Sequence, residues 1–273
     1  MTTITVAALQ LAFSDDIDAN QRSNFGSGGH FGYEQSNHGW ELGLDTRPGD
    51  NFAFGMLVAS SEGTQHLDGA AGSDPFDGTA FGLVGTGFGA NGFYLDVSLR
   101  WTGIDGRMRS SAGEHRVDAS AESFNVETGF TAWTLGNGIG VVPQAQYTRT
   151  RISDIAPVQS GQAEFVSDGG VSSRGRLGVA FDKRFEHAGF TWTPYGSINA
   201  IHEFDGEYAY AINDGLLGTT STDGTSAMVE LGLGAQKGGL SITGGLNWID
   251  GGAMQGIGGG QVDVRTSKKA FSH

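Results

Sequence analysis

The feature that most constrains this chain is a period-two alternation of apolar and polar residues, repeated in segment after segment from about residue 28 onward. Between Phe93 and Trp101, for example, the odd positions are apolar, and most even positions, among them Asp96 and Arg100, are polar. Successive side chains of a β-strand point to opposite faces, so each such segment predicts a strand with one apolar and one polar face. A chain made of such strands has to cover its apolar faces with a protein core or with lipid.

The alternating segments number about twelve, and each is close to the ~9–11 residues with which a tilted strand crosses a bilayer. Short turns and long connections alternate between them, and the long connections are rich in Gly, Asp and Ser. Tight turns at one end and longer loops at the other are typical of outer-membrane barrels, so the pattern favours a barrel over a soluble sandwich. The predicted strands are 28–36, 39–46, 51–61, 78–88, 91–104, 120–135, 138–152, 173–185, 189–205, 225–236, 239–250 and 258–267. The predicted long connections are 62–77, 105–119, 153–172 and 206–224.

Composition excludes several other classes of protein. The 273 residues include 16 basic and 30 acidic side chains, for a formal net charge of −14, so the basic surface that nucleic-acid binding requires is missing. The absence of cysteine removes disulfides, thiolate metal sites and thiol nucleophiles. No apolar run approaches the ~18–20 residues of a membrane-spanning helix. The 47 glycines, several of them inside predicted strands, fit a tilted sheet that bends or that other groups approach closely.

The N-terminal segment has a different pattern from the rest. Residues 7–13 are rich in good helix formers and residues 14–22 contain neither Gly nor Pro, so we predict a helix over residues 5–22. A helix with its side chains is about 10–12 Å across, which fits the lumen of a twelve-stranded barrel. The expected domains are a pore helix with its linker at 1–24 and a barrel at 25–273. The residues chosen to represent the pore helix are Leu9, Asp16 and Arg22.

Six short stretches carry a resemblance to a known family. They lie at 41–48, 92–96, 142–148, 173–178, 194–204 and 230–234. In this order and at this spacing they resemble the translocator domain of autotransporters, the type V secretion proteins, across nearly the whole chain. The stretch from Val142 to Thr148 is similar to that family's central strand. The C-terminus departs from the family's pattern, because Phe271 is out of phase with Val262 and Val264.

The resemblance implies an all-β fold: a closed antiparallel transmembrane β-barrel of about twelve strands with an N-terminal helix in the pore. It implies a location in the outer membrane of a Gram-negative bacterial cell and a role in anchoring and exporting an N-terminal passenger. No passenger precedes the helix in this sequence, so the chain resembles a translocator domain cut from its precursor or a stand-alone copy. The implied partners are outer-membrane lipid, the passenger polypeptide and the barrel-assembly machinery. We expect a monomer with no cofactor and no nucleic-acid partner.

Function is expected on the polar phase of the strands. A water-filled pore needs polar walls in any case, and a more specific role would be to hold the helix through ion pairs with Arg22 or with Asp15, Asp16 and Asp18. The predicted pore-lining residues are Glu41, Asp45, Asp96, Arg100, Glu127, Arg176, Asp182, Glu203 and Glu230, with Arg184, Asp263 and Arg265 on the same phase.

No catalytic, cofactor-binding or metal-binding residue is predicted. The seven histidines are scattered without metal-ligand spacing, and the chain has no G-x-S-x-G nucleophile motif. Two functions remain as alternatives to a translocator. A passive porin-like channel would need an open lumen, and a soluble β-rich adhesion module would need its apolar faces packed in a core.

Overall fold

The structure is a computed structural model dominated by antiparallel β-strands; in the part of the chain that it describes, eighteen strands form one sheet. The helical structure within the described ranges is a single 3-10 turn at Ala90–Gly92. Among these residues no helix has the length and apolarity to cross a membrane. The structure describes residues 3–19, 22–25, 33–67, 73–110, 113–160, 162–212, 215–252 and 254–269, and Phe271 lies outside them.

The strands differ greatly in length, from two residues to twenty. In chain order they are β1 (Thr3–Ala19), β2 (Arg22–Phe25), β3 (Tyr33–Arg47), β4 (Phe52–Leu67), β5 (Ser73–Phe88), β6 (Tyr94–Ser110), β7 (Gly113–Gly129), β8 (Trp133–Thr134), β9 (Gly140–Ile152), β10 (Ile155–Ser160), β11 (Ala163–Asp182), β12 (Phe185–His187), β13 (Phe190–Asp205), β14 (Glu207–Ile212), β15 (Gly215–Ser221), β16 (Gly224–Lys237), β17 (Leu240–Gly251) and β18 (Met254–Lys269).

The long strands pair antiparallel in chain order. The pairs run from β3 with β4 to β6 with β7, then β7 with β9, β9 with β11, β11 with β13 and β13 with β16. They continue from β16 to β17 and from β17 to β18. β1 pairs with β18 along one side and with β3 along the other.

The N-terminal segment forms β1, so the predicted helix over residues 5–22 is wrong. The apolar residues Ile4 and Val6 are at even positions and Leu9 and Leu11 at odd ones, a phase change that obscures the strand pattern. The structure places a register shift between Thr5 and Ala8, where a β-bulge restores the alternation. Hydrogen-bonded ladders on both sides of β1 then outweigh a weak local helix propensity.

The residues chosen to represent the pore helix therefore lie in or beside strand ladders. Leu9 has Leu42 and Val264 as its backbone partners. Asp16 lies in β1 at a register shift relative to β3, and Arg22 begins β2 opposite Ser221. Residues 3–19 belong to the same sheet as the rest of the chain.

Within the described residues, the predicted strands 28–36 and 39–46 form one continuous strand, β3, which starts at Tyr33. The segment Asn37-His38-Gly39 suggests a turn by composition, and the apolar residues change phase across it, from Tyr33 at an odd position to Trp40 and Leu42 at even ones. The ladder between β3 and β4 is nevertheless unbroken from Tyr33 to Thr46, so backbone pairing decides the structure here. Because two of the twelve predicted strands form one, the sheet has one predicted strand fewer, and β1 takes its place next to β3.

The four predicted long connections are largely strand. β4 and β5 remain paired up to His66 and Ser73, and β6 and β7 up to Ser110 and Gly113. The other two contain β10 and the hairpin of β14 with β15, which pair with the first half of β11 and with β2. Gly, Asp and Ser lower strand propensity only weakly, and backbone pairing overrides them here.

Tight turns join the strands at the opposite end. Between His187 and Phe190, which face each other across β12 and β13, only Ala188 and Gly189 remain. Both have positive φ angles, 53° and 77°. Two consecutive positive φ values form the two-residue hairpin whose twist matches that of the flanking strands.

The distribution of polar and apolar side chains is the inverse of that in a soluble protein. The most exposed aliphatic side chains lie in mid-strand, with Leu246 at 71%, Leu177 at 68% and Leu231 at 65% of full exposure. Among the described residues the buried polar set, Ser167, Ser173, Ser197, Asn199, Glu203 and Ser226, is larger than the buried apolar set, Val141, Val158 and Ile201. An exposed apolar surface of this extent requires lipid, not a protein core, to cover it.

Exposed aromatic residues lie in two zones along the strands. One zone is next to the tight turns and includes Phe52 and Trp133. The other is about eight residues further along the strands and includes Trp40 and Trp101. Aromatic girdles at both membrane interfaces are typical of barrels in the outer membrane. We call the exposed surface between these zones the apolar band.

Candidate functional site: the polar wall

The face opposite the apolar band, which we call the polar wall, carries every predicted pore-lining residue. Alternation places each of them there, because its neighbours in sequence point to the apolar side. They come from six strands: Glu41 and Asp45 from β3, Asp96 and Arg100 from β6, Glu127 from β7, Arg176 and Asp182 from β11, Glu203 from β13 and Glu230 from β16.

Glu41 and Arg100 form an ion pair although two strands separate them. The Arg100 Nη2 atom donates a hydrogen bond to Oε2 of Glu41 at 2.5 Å. Neighbouring strands are about 4.8 Å apart, so β3 and β6 would be about 14 Å apart in a flat sheet. The two side chains meet because the sheet curves and makes the polar wall concave.

Glu127 is the centre of a second group. It accepts hydrogen bonds from Nη2 of Arg176 at 2.6 Å and from the Tyr94 hydroxyl at 2.7 Å. The Gln144 amide in turn donates to the Tyr94 oxygen at 2.8 Å. The Arg176 and Glu127 side chains are only 15% and 20% exposed, so removing one partner leaves a largely desolvated charge.

Glu203 is the most deeply buried carboxylate among the described residues, at 2% exposure. Its oxygens accept hydrogen bonds from the Ser173 backbone N–H at 2.7 Å, the Ser172 hydroxyl at 2.8 Å and Nε of Arg174 at 3.3 Å. β11 shifts register relative to β13 between Ser173 and Arg174. The carboxylate thus accepts the hydrogen bond of an N–H that the register shift removes from the regular ladder.

A cavity of about 640 Å³ lies against the polar wall near the tight turns. Asp45, Asp96, Asp263 and Arg265 line it, together with Glu41. Arg265 bonds the Asp263 carboxylate through Nε and Nη2 at 3.0–3.3 Å. Carboxylates outnumber guanidinium groups among these lining residues.

The remaining predicted residues are less connected. Glu230 accepts a long hydrogen bond, 3.4 Å, from the Ser197 hydroxyl, and the Asp182 carboxylate lies against Gly140. Within the described ranges, no group of three or more His, Asp or Glu side chains is placed to hold a metal ion. The predicted ion pairs to Asp15, Asp16, Asp18 and Arg22 involve side chains outside those that the structure describes.

Sequence reasoning missed the role of Tyr195. Tyr195, Gly232 and Gly245 face one another in register on β13, β16 and β17. A Cβ atom built at Gly232 would collide with the Tyr195 ring, and one at Gly245 would lie 2.5 Å from its hydroxyl oxygen. The ring therefore lies flat over two glycines of the wall. The sequence did contain a signal for this contact: each of two successive strands has a glycine at a polar-phase position.

Beyond the apolar band, the β6–β7 hairpin carries an exposed charge cluster. Arg116 donates hydrogen bonds to Asp105 at 2.5 Å and to Asp118 at 2.9 Å. The hydrogen bond from Arg116 lowers the pKa of the Asp118 carboxyl below its ordinary value, and Asp105 adds to this effect.

Comparison with known proteins gives one family. Residues 17–247 match the family model described as the autotransporter beta-domain. The pertactin autotransporters of Bordetella bronchiseptica and Bordetella parapertussis are each 28% identical, over 220 and 214 residues. In both cases the match covers 76% of this chain and 23% of the relative, so the chain spans less than a quarter of the relatives' length.

Solved structures show the same fold. The beta domain of the Bordetella autotransporter BrkA superposes with a TM-score of 0.74 at 18% identity, covering 96% of this chain and 98% of that one. The translocator domain of NalP from Neisseria meningitidis has a TM-score of 0.72 at 12% identity, with coverages of 97% and 88%. At these identities the likeness concerns the fold, an all-β antiparallel barrel.

Proposed function

We propose that this chain, which belongs to the autotransporter beta-domain family, is an outer-membrane translocator domain. It closes as a barrel of twelve long strands around a lumen through which an N-terminal passenger is exported. The observation that carries this proposal is the inverted distribution of side chains, with exposed aliphatic residues in mid-strand and a buried carboxylate on the opposite face. A soluble adhesion module would bury the apolar face instead.

Closure is supported by the two-sided pairing of β1. The twelve strands of the proposed barrel are β1, β3, β4, β5, β6, β7, β9, β11, β13, β16, β17 and β18, each paired with the next, and β18 pairs with β1. An even strand count lets an antiparallel sheet close on itself with its ends at one side. The ion pair between Glu41 and Arg100 supports the required curvature.

The polar wall would line the lumen. Glu41, Glu127 and Glu203 each accept hydrogen bonds from arginine side chains of the wall itself. Such satisfied charges suit a rigid hydrophilic conduit better than general acid–base catalysis, so we propose a transport role without enzymatic chemistry. The excess of carboxylates around the cavity near Asp45 and Asp263 would favour cationic segments of a passing polypeptide.

The tight turns would face the periplasm and the long hairpins the exterior, as in other outer-membrane barrels. Thr3 lies at the tight-turn end, opposite Arg47 and Lys269. A passenger joined to this end would therefore enter the lumen from the periplasmic side. The proposed partners are the passenger, outer-membrane lipid and the barrel-assembly machinery, and the proposed state is a monomer.

The test is surface display of a reporter peptide, joined ahead of Met1 behind a secretory signal. The proposal predicts antibody labelling of the reporter on intact cells. Cysteine introduced at Asp77 or Asp223 should react with an impermeant thiol reagent on intact cells, whereas cysteine at Asn137 or His187 should react only after lysis. If the barrel folds and the reporter nevertheless stays in the periplasm, the translocator role is contradicted. Reversed thiol labelling would contradict the orientation.

The second candidate is a passive pore, which the cavity of about 640 Å³ favours. In a planar bilayer, removal of β1 tests the closed barrel that both functions would need. Deleting residues 3–19 removes a strand that pairs with β18 on one side and β3 on the other. We therefore expect loss of the stable barrel and of any regular conductance. A truncated chain that still forms a stable pore would contradict the twelve-strand closure.

A further inference from the structure

Two arginines occupy consecutive outward positions on β9, where that strand leaves the apolar band. β9 begins at Gly140 beside the tight turns, and Arg149 and Arg151 are its tenth and twelfth residues. A tilted strand crosses the hydrocarbon in about 9–11 residues, so both lie at the far interface. Both side chains are exposed, and the preceding outward residue is Tyr147, which is 36% exposed.

These arginines lie next to the exposed apolar surface of the membrane-spanning part, and their own charges are not neutralised by a neighbouring side chain. The backbone partner of Arg149 on β7 is Phe124, an exposed aromatic residue, and that of Arg151 is Glu122. Within the part of the chain that the structure describes, neither guanidinium takes part in an ion pair or a side-chain hydrogen bond. Arg116, on the neighbouring hairpin, is instead held by two aspartates.

Unpaired arginines are unexpected in a chain with 30 acidic and 16 basic residues. Two of them side by side at a membrane interface form a locally cationic patch directly above aromatic surface. Guanidinium groups bind phosphate through paired hydrogen bonds, and interfacial basic residues attract anionic lipid head groups. The patch has the composition that a phosphorylated lipid needs, with cations for the head group and aromatic surface for the acyl chains.

We propose that Arg149 and Arg151 bind the phosphate of a phosphorylated glycolipid of the lipid A class in the outer leaflet. The acyl chains of this lipid would lie against Tyr147 and Phe124. The inference rests on the proposed function, because it requires the long hairpins to face the exterior.

The experiment measures lipid retained by the full-length chain in detergent, using native mass spectrometry. The probe is bisphosphorylated lipid A, compared with its dephosphorylated form and with inorganic phosphate as competitor. The variants are Arg149→Ala/Arg151→Ala and the matched control Arg116→Ala, each checked for folding by its resistance to denaturation in detergent. We expect about tenfold weaker retention of lipid A in the double variant, because both interfacial cations that attract the phosphate are lost. The control should behave as the unmodified chain.

Three results would overturn the site. They are unchanged retention in the folded double variant, equal retention of dephosphorylated lipid A, and competition by millimolar inorganic phosphate, which would mean that free phosphate is the ligand. Failure of the proposed function is distinguishable from all three. Reversed thiol labelling at Asp77 and His187, with lipid A retention intact in detergent, would contradict the orientation and with it the outer-leaflet location, but not the contact between the two arginines and the phosphate.

Discussion

The strands β3–β7 and the strands β9–β16 are built from the same alternation, yet they continue differently beyond the apolar band. In the first region all four ladders run without a register shift to the hairpin ends. In the second, β11 shifts register against β13 and again against β14, and three short strands surround its first half. The first region is a plain extension of the sheet, and the second is a branch point.

The difference shows where side chains must replace backbone pairing. On the continuous ladder, Glu62 is 66% exposed and its carboxylate bonds the His38 side chain. At the branch, Glu203 is 2% exposed and accepts the backbone N–H of Ser173. A ladder that continues leaves few N–H groups to satisfy, whereas a ladder that shifts register frees them, and a buried free donor costs about 1–3 kcal/mol.

The largest effect that separates the two regions is expected for Glu203→Ala. Its loss leaves the Ser173 N–H and the Ser172 hydroxyl without an acceptor, so we expect a loss of about 3–4 kcal/mol in the free energy of unfolding. Urea unfolding in lipid vesicles measures it. Glu62→Ala is the matched control on the continuous ladder and should cost less than about 1 kcal/mol. Equal losses for the two variants would erase the distinction between the regions.

The lipid-facing surface should show no such difference between the regions. Leu44→Arg on β3 and Leu231→Arg on β16 each place a charge against hydrocarbon and should each cost about 2–3 kcal/mol. Leu44 is 50% and Leu231 65% exposed. Thr64→Arg, beyond the band, should cost little by the same unfolding measurement. A cost confined to one region would mean that only part of the apolar band contacts lipid.

A smaller effect should appear where Tyr195 crosses the wall. Gly232→Ala forces the ring off its glycine and should destabilise the fold by about 1–2 kcal/mol. Gly234→Ala, on the same strand, meets its nearest neighbour at 3.5 Å and should be close to neutral. A comparison of unfolding midpoints measures both. Identical midpoints would show that the ring is not fixed against the wall.

Much of the fold follows from the sequence because alternation is set locally. Leu231, Ile198 and Leu177 are exposed on the face that the period-two pattern assigns to them. β1 escapes this reasoning because its bulge splits the pattern into two phases, and only the ladders with β3 and β18 reveal it as a strand. The long hairpins could not be predicted from the sequence, because backbone pairing needs no particular side chain.

The polar wall is predictable as a set of residues and not as a set of contacts. Glu41 and Arg100 are 59 residues apart, and they meet through sheet curvature that no local pattern encodes. The same limit applies to Asn199. The phase alone suggests a water-facing position that tolerates arginine, but its side chain is 3% exposed, bonds Ser197 and packs on Gly178. Asn199→Arg should therefore destabilise the fold, because this buried position has no room for the larger side chain.

The smallest effect concerns the charge cluster on the continuous ladder, where side chains do not support the backbone. Arg116 keeps the pKa of the Asp118 carboxyl below its ordinary value, so the interaction stabilises the folded state at pH values above the unfolded pKa of about 3.9. That contribution disappears as the pH falls through the lower pKa of the folded state. Titration of the carboxyl by NMR should show Arg116→Ala returning this pKa toward its ordinary value. Because Asp118 is fully exposed, solvent screens this contribution, and the loss of barrel stability at pH 7 should be too small to detect by urea unfolding. A clear loss of stability in Arg116→Ala would mean that this hairpin, like the branch at Glu203, depends on its side chains to remain paired.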